Sequence, residues 1–436
     1  MPGVFVIAKR LFFGGAGQTG TKERFWRCCL IYPVGGKIKF CNLPIGRYRG
    51  AIVFKGGRDA MGIEIPSLSQ GSVFADSRQL RGLLEEFYSV AIGEIFRSNG
   101  GSSNLPIGRL ASKVLADPLT RASIHDHLVG MASAETVLER LDRLRSRDNL
   151  AMEMTVSVAD VPLWSPRDKN SWSAKTFETE FDDKMLPNRL IGTKSDGALV
   201  PANEELTELT KAAVRKLHQA VPQLTNSVLS HIDLICWARV ETQDAVMTSG
   251  SSRPLPGVIF LSPDRIDSEA SAAEAILHEA AHHKLFDIFI ALDCIDPSYR
   301  AIEWKMPVVV PWNKDHSMQT ASWPPDQALL ALHIYLHLAY FAHRTNQDAL
   351  LVRAKERATF LANSLEELNL DGFLLNSGKQ LLSWCSELAQ TQGSLTEFSD
   401  GWGSEASVSN PFLLDGRLAC YYYDVSTGEI ARAEAT

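Results

Sequence analysis

Ser271-Ala-Ala-Glu-Ala-Ile-Leu-His278-Glu279-Ala-Ala-His282-His283 is the stretch on which the reading of this chain turns. It contains H-E-x-x-H, two histidines four residues apart with a glutamate directly after the first. On a helix that spacing sets His278 and His282 one turn apart on one face, so both imidazoles can reach a single ion. The spacing of Ser271 and Glu274 predicts a capping box, alanines fill the following turn, and no Gly or Pro interrupts Ser268 to Phe289. The local expectation is a long helix carrying a metal pair.

Outward from this helix, the preceding segments read as Glu204–Ala220 (amphipathic helix), Ile232–Val240 (strand) and Pro256-Gly-Val-Ile-Phe-Leu-Ser262 (strand). Ser249-Gly-Ser-Ser252 reads as a flexible approach to the second strand, and 163–203 as irregular chain. After the metal helix comes a Pro/Trp-rich stretch, Trp304 to Trp323. A helix from Pro325 past Arg344 follows, continuing after a break to Leu368, with a last helix at Leu381–Leu388. Helical spacing also covers Gln79–Arg97, Pro106–Ala116 and Ala134–Arg147. The expected fold class is α+β: a predominantly helical catalytic domain at 166–390 with a small sheet before the H-E-x-x-H helix. A helical region occupies 76–165, a β-rich N-terminal unit with a role in substrate or leader recognition occupies 1–75, and 391–436 is a tail.

The 436 residues suffice for a large core, and 45% hydrophobic with 22% charged residues is the composition of a globular protein. A net charge of −7 argues against general nucleic-acid binding or adhesion to membrane surfaces. No apolar run is long enough to cross a bilayer, and the first fifteen residues do not read as a signal peptide. Seven cysteines without C-x-x-C spacing read as buried thiols, and the expected compartment is the cytoplasm. Gly15-Ala-Gly-Gln-Thr-Gly-Thr-Lys22 imitates a phosphate loop with its lysine one place late and no helix behind it, so it reads as a hairpin loop. Ile124-His125-Asp126-His127 reads as surface polarity, since histidines two apart do not share a helix face.

Two helical histidines leave a catalytic metal site incomplete. The metzincin continuation fails, with Leu285 and Ile288 where Gly and His would stand. Glu303 and Glu356 read as solvated charge, leaving His316, His333, His337 and His343. On the helix at 329–344, His333, His337 and Arg344 fall within about 40° of one another, and His343 points elsewhere. Arg344 stands two turns, about 10 Å, beyond His337, where a guanidinium would clamp the far carboxylate of a small dicarboxylate. That spacing favours His337 as third ligand, with His333 as runner-up.

An ordered set of pieces resembles one family. They are Pro-Gly-Val-Ile-Phe-Leu-Ser at 256–262, Glu274 to His283, Pro311-Trp312, Leu336-His337-Leu-Ala-Tyr340-Phe-Ala-His-Arg344, and Leu374-Leu375-Asn-Ser-Gly378. Across about 200–390 the chain resembles the 2-oxoglutarate-dependent H-E-x-x-H peptide β-hydroxylases associated with ribosomally made, modified peptides. It departs from them at Asn313, where an arginine is expected, and in lacking an Arg-Pro pair before the His337 helix. The resemblance implies Fe(II), 2-oxoglutarate and O2 as cofactors, a peptide substrate with a leader segment, and His278, His282 and His337 on the iron. Arg344 would bind the cosubstrate and Glu279 would orient a ligand or water. The alternatives are a zinc-dependent metallopeptidase with Glu279 as general base, and a non-catalytic peptide-binding protein.

Overall fold

The computed structural model describes residues 68, 72–99, 107–128, 130–145, 154–158, 161–166, 168–185, 196–241, 247–296, 299, 306–313 and 322–394, and the strands 5–8, 27–34, 37–44, 421–424 and 429–432. It is a mostly helical α+β fold with a small mixed sheet, in agreement with the expected class. At the N-terminus, β1 (Phe5–Ala8), β2 (Arg27–Val34) and β3 (Lys37–Pro44) form an antiparallel sheet in that order. The phosphate-loop look-alike at 15–22 and the β-like run at 51–54 lie outside the described residues, as do His316, Glu303 and most of the tail.

Helices α1 (Ser77–Ser98), α2 (Ile107–Leu115), α3 (Pro118–Leu128) and α4 (Ala134–Arg145) precede the sheet. After β4 (Met154–Val158), much of the described part of the stretch read as irregular is instead regular: the end of β5 (Val161–Pro166), α5 (Trp172–Met185) and β6 (Asp196–Val200). Pro166 stands at a strand position and Trp164 packs inward, which the composition alone did not reveal. Next come α6 (Glu204–Ala220), α7 (Pro222–Leu229), β7 (Leu234–Glu241), β8 (Ser249–Ser252) and β9 (Leu255–Leu261). The Ser-Gly-Ser-Ser segment is therefore a strand. It is paired antiparallel with β9 by the register Ser249↔Leu261 and Ser251↔Ile259, because small side chains let it lie close beside the next helix.

Strand order is β4-β5-β7-β9-β8, with β6 also paired to β7. The runs of β7 and β9 are continuously apolar because both faces are covered. Ile235, Trp237, Ile259 and Leu261 join one core with α6 and α7, while Leu234, Cys236, Val258 and Phe260 join another with Phe177 and Phe181 of α5. Helix α8 (Glu269–Leu292) lies in the first core and is buried almost all round. Its N-cap is Ser268, reciprocally bonded with Ser271, so the capping box sits three residues earlier than the Ser271–Glu274 spacing predicts, and Glu274 is released for another role. Helices α9 (Pro325–Arg344), α10 (Asp348–Glu367) and α11 (Asn376–Ser394) complete the core beside it.

A buried polar network locks α8 from behind. Arg121 of α3 donates to Asp287 of α8 at 2.7 Å and to Asp233 at 2.7 Å, all three side chains being 6% exposed or less. His231 bonds Asp287 at 2.7 Å and Ser77 at 3.0 Å. Lys284 donates to the carbonyls of Leu68 and Ala75 and to the Ser227 hydroxyl. Burial alone would raise the Asp287 carboxyl, but Arg121 and His231 outweigh it and hold that group well below the usual carboxylate range. The neighbouring Gly257 has φ +79°, and a Cβ there would stand 2.2 Å from Asp233 Oδ2, so only glycine fits.

The histidine triplet of α3 is half-buried and each member has a partner, where free surface polarity was expected. His125 stacks on Tyr88 and bonds its hydroxyl at 2.8 Å, Asp126 pairs with Lys184 at 2.7 Å, and His127 Nδ1 lies 3.0 Å from the Ala132 carbonyl. The triplet closes the α1–α3–α5 contacts, and spacing on its own helix could not show that. Because a buried charge left without its partner is expensive, Asp287→Asn is expected to lower stability by roughly 3–5 kcal/mol in denaturant unfolding. A loss below about 1 kcal/mol would remove the network from its structural role.

Candidate metal centre

Helix α8 presents a different chemistry on each face. Positions 274, 278 and 282 recur every fourth residue and form one stripe. His278 and His282 are half-buried there, with ring centroids 5.0 Å apart. Glu279, 2% exposed, turns toward the sheet, where Ser249 of β8 donates to its Oε1 at 2.7 Å. The same Oε1 lies 4.0 Å from His278 Nε2. One atom from each of His278, Glu279 and His282 lies within 4.8 Å of the others, the group among the described residues arranged to hold a metal ion. Next along the helix, His283 accepts from the Gly257 N–H at 3.1 Å and donates to the Val258 carbonyl at 2.7 Å. It pins α8 to β9 and is thereby committed to structure.

Burial depresses both stripe imidazoles. It lowers His278, with Glu279 opposing, and lowers His282 further, with His278 and His283 adding to the effect. Both are neutral near pH 7, the form that coordinates metals. His282 Nδ1 is buried without a hydrogen-bond partner among the described residues. Two neutral imidazoles beside a carboxylate fit zinc or iron(II) equally well.

Helix α9 runs antiparallel to α8. Its start meets the end of α8 through Tyr299, which donates to Asp326 at 2.7 Å. Its end reaches Ala220, in the same last turn of α6 whose Lys216 pairs with Glu269 at the start of α8. His333 and His337 both sit on its buried face, with centroids 4.3 Å apart, and neither belongs to the close group on α8. Their surroundings differ. His333 is depressed by burial first, then by His337, Lys284 and His282, and the Ala281 carbonyl on α8 is a polar neighbour. Neither ring nitrogen of His333 makes a well-formed hydrogen bond among the described residues. His337 is pushed down to about 3 by burial and Lys284, and its Nδ1 is 2.7 Å from the His333 carbonyl. His337 Nε2 is likewise buried without a hydrogen-bond partner among the described residues, so both histidines of α9 offer a nitrogen for the third place.

Arg344 stands apart from these groups. It is exposed, and its Nε donates to the Ala220 carbonyl at 3.4 Å at the mouth of α6. The expected carboxylate clamp in a partly dry site does not fit this position. His343 and Glu356 are exposed, as expected. Two residues that the sequence reading passed over lie at the site. Ser249 gave no signal. Glu274 did, by standing four residues before His278.

No protein-family profile matches the chain, and no curated protein matches it in sequence.

Alanine at His278 or His282 is expected to abolish metal binding while leaving the melting temperature within a few degrees, measured by elemental analysis and calorimetry. Full metal retention in both variants would remove the centre. Of the second pair, His337→Ala is expected to weaken binding more than His333→Ala. Glu274 offers a pH test. Burial pushes its carboxyl up to about 7, with Arg353 partly opposing. A raised folded value means a contribution that is present below the unfolded value of 4.5 and is lost as pH rises through about 7. Glu274→Gln should therefore gain on the parent by roughly 1–3 kcal/mol between about pH 5 and pH 8 in denaturant unfolding. A constant difference across that window would contradict the assignment.

Proposed function

We propose that the chain is a metal-dependent peptide-modifying enzyme. Within that class we infer an Fe(II)/2-oxoglutarate-dependent oxygenase that hydroxylates a β-carbon of a residue in a ribosomally made peptide. The observation that carries the reading is the half-exposed His278–His282 pair with Glu279 tied down beside it. An oxygenase needs a ligand set that leaves positions open for a keto acid and O2, and two imidazoles with one further ligand leave them. His337, whose Nδ1 lies 2.7 Å from a backbone carbonyl while its Nε2 has no partner among the described residues, is the imidazole proposed for the third place, with His333 as runner-up. Iron, when bound, supplies the oxidising chemistry, in which one oxygen atom goes to the β-carbon and the other to succinate as CO2 leaves.

Glu279 supports this assignment by its constraint. A carboxylate that is 2% exposed and already accepts from Ser249 is suited to orienting a neighbour. The ordered motifs from 256 to 378 lean the same way. The zinc-hydrolase reading keeps one observation in its favour: Glu279 Oε1, 4.0 Å from His278 Nε2, is within reach of a water held by the same imidazoles. Among the described residues no helix is long and apolar enough to cross a membrane, and a peptide is the partner this reading requires.

Protein purified without oxygen is expected to carry iron and to form succinate when 2-oxoglutarate and O2 are supplied. Glu279→Gln should retain measurable succinate formation. Zinc in the purified protein, with peptide cleavage that needs no keto acid and falls by several orders of magnitude in Glu279→Gln, would overturn the oxygenase in favour of the hydrolase.

A further inference from the structure

Among the described residues one group donates a hydrogen bond to the buried Glu279 carboxylate: the Ser249 hydroxyl, 2.7 Å from Oε1. An ionised carboxylate has about four acceptor positions, so this single bond leaves most of its capacity unused. The bond falls on the oxygen that faces the metal pair, since the same Oε1 lies 4.0 Å from His278 Nε2.

The two ends of that bond differ in freedom. The Glu279 carboxylate hangs on a long side chain with many rotamers. The Ser249 hydroxyl stands one carbon from a strand that is held on two sides. Ser249 pairs with Leu261, and the Ser262 N–H donates to the Thr248 carbonyl at 2.9 Å. On the other side, a Cβ at Gly250 would stand 2.8 Å from Met247 Sδ and 3.3 Å from Met185 Cε, so β8 lies tight against those methionines. The strand therefore fixes the hydroxyl, and the hydroxyl selects the rotamer of the carboxylate.

Adjacent donors about 2.0–2.2 Å from one ion stand about 3–3.4 Å apart. At 4.0 Å from Nε2, Oε1 is held outside that spacing, close enough to meet what the ion binds and too far to share the ion as its neighbour. We infer that Ser249 is a positioning residue of the metal centre: its hydroxyl keeps the Glu279 carboxylate beside the ion's place and stops it from swinging on as a ligand. A carboxylate that joined the ion would fill a position that a keto acid, O2 or a hydrolytic water must occupy. The inference rests on the metal centre of the proposed function and on neither choice of reaction.

Metal-free protein, kept anaerobic, is titrated with cobalt(II) alone. The visible absorption bands, which follow coordination number, are recorded together with the dissociation constant. Ser249→Ala is expected to change the bands and to bind cobalt(II) at least about fivefold more tightly, as the freed carboxylate joins the ion. A matched pair separates hydroxyl from shape: Ser249→Thr should follow the parent, and Ser249→Val should follow Ser249→Ala. Beside Glu279→Gln, Ser249→Ala should move neither reading, because no carboxylate is left to release. A serine with a merely structural role would lower the melting temperature and act alike in both backgrounds. Unchanged bands and affinity in Ser249→Ala, a change that persists beside Glu279→Gln, or weaker binding from a lost ligand would each overturn the assignment and leave the metal centre standing. If the parent takes up no cobalt(II), the metal centre falls and takes this inference with it.

Discussion

Arg121 is a cation with 1% of its side chain exposed, and the fold holds it only because Asp287 and Asp233 meet it at 2.7 Å each. That constraint reaches the opposite side of α8. Asp287 follows His278 by nine residues, about 180° around the helix, so fixing one fixes where the other points. His231 and Lys284 add bonds to the same back face, and His283, one turn before Asp287, ties that face to β9. A helix of alanines and leucines packed by contact alone could rotate by a fraction of a turn at small cost. Directional bonds along the back face remove that freedom, which keeps the half-buried histidines of the opposite stripe in register.

The sheet makes the second half of the arrangement. β7 and β9 are covered on both faces, so their apolar runs leave no ambiguity about where they lie, and β9 delivers both Gly257 and Val258 to His283. β8, built from serines and a glycine, is the edge strand that brings Ser249 to Glu279. Hydrophobic burial thus positions the strands, and a few polar bonds set the rotation of the helix between them. The energetic weight lies in the first and the precision in the second.

How much of this the sequence discloses follows from which interactions are local. The H-E-x-x-H helix, the amphipathic α6, the apolar strands and the pair α9–α10 are written in periodicity and were legible to within a few residues. The face shared by His333 and His337 was legible for the same reason. What periodicity cannot supply is the partner across a gap. Ser249 and Glu279 are thirty residues apart, and Arg121 and Asp287 are 166 apart. The His125 triplet looked solvated because Tyr88 and Lys184, which bury it, come from other elements. The region from 163 looked irregular because prolines argue against strands, yet β5 ends on Pro166.

Arg344 shows the same limit at the site itself. A helical wheel orders residues around one axis and is silent on how far the neighbouring helix extends. α8 and α9 are antiparallel, so each step beyond His337 moves toward the start of α8, and the last turn of α9 lies over the end of α6, where Arg344 finds the Ala220 carbonyl. The chain then reverses at 345–347 into α10, which brings Arg353 to within 3.8 Å of Glu274, a contact that reversal of the chain supplies and spacing along one helix does not.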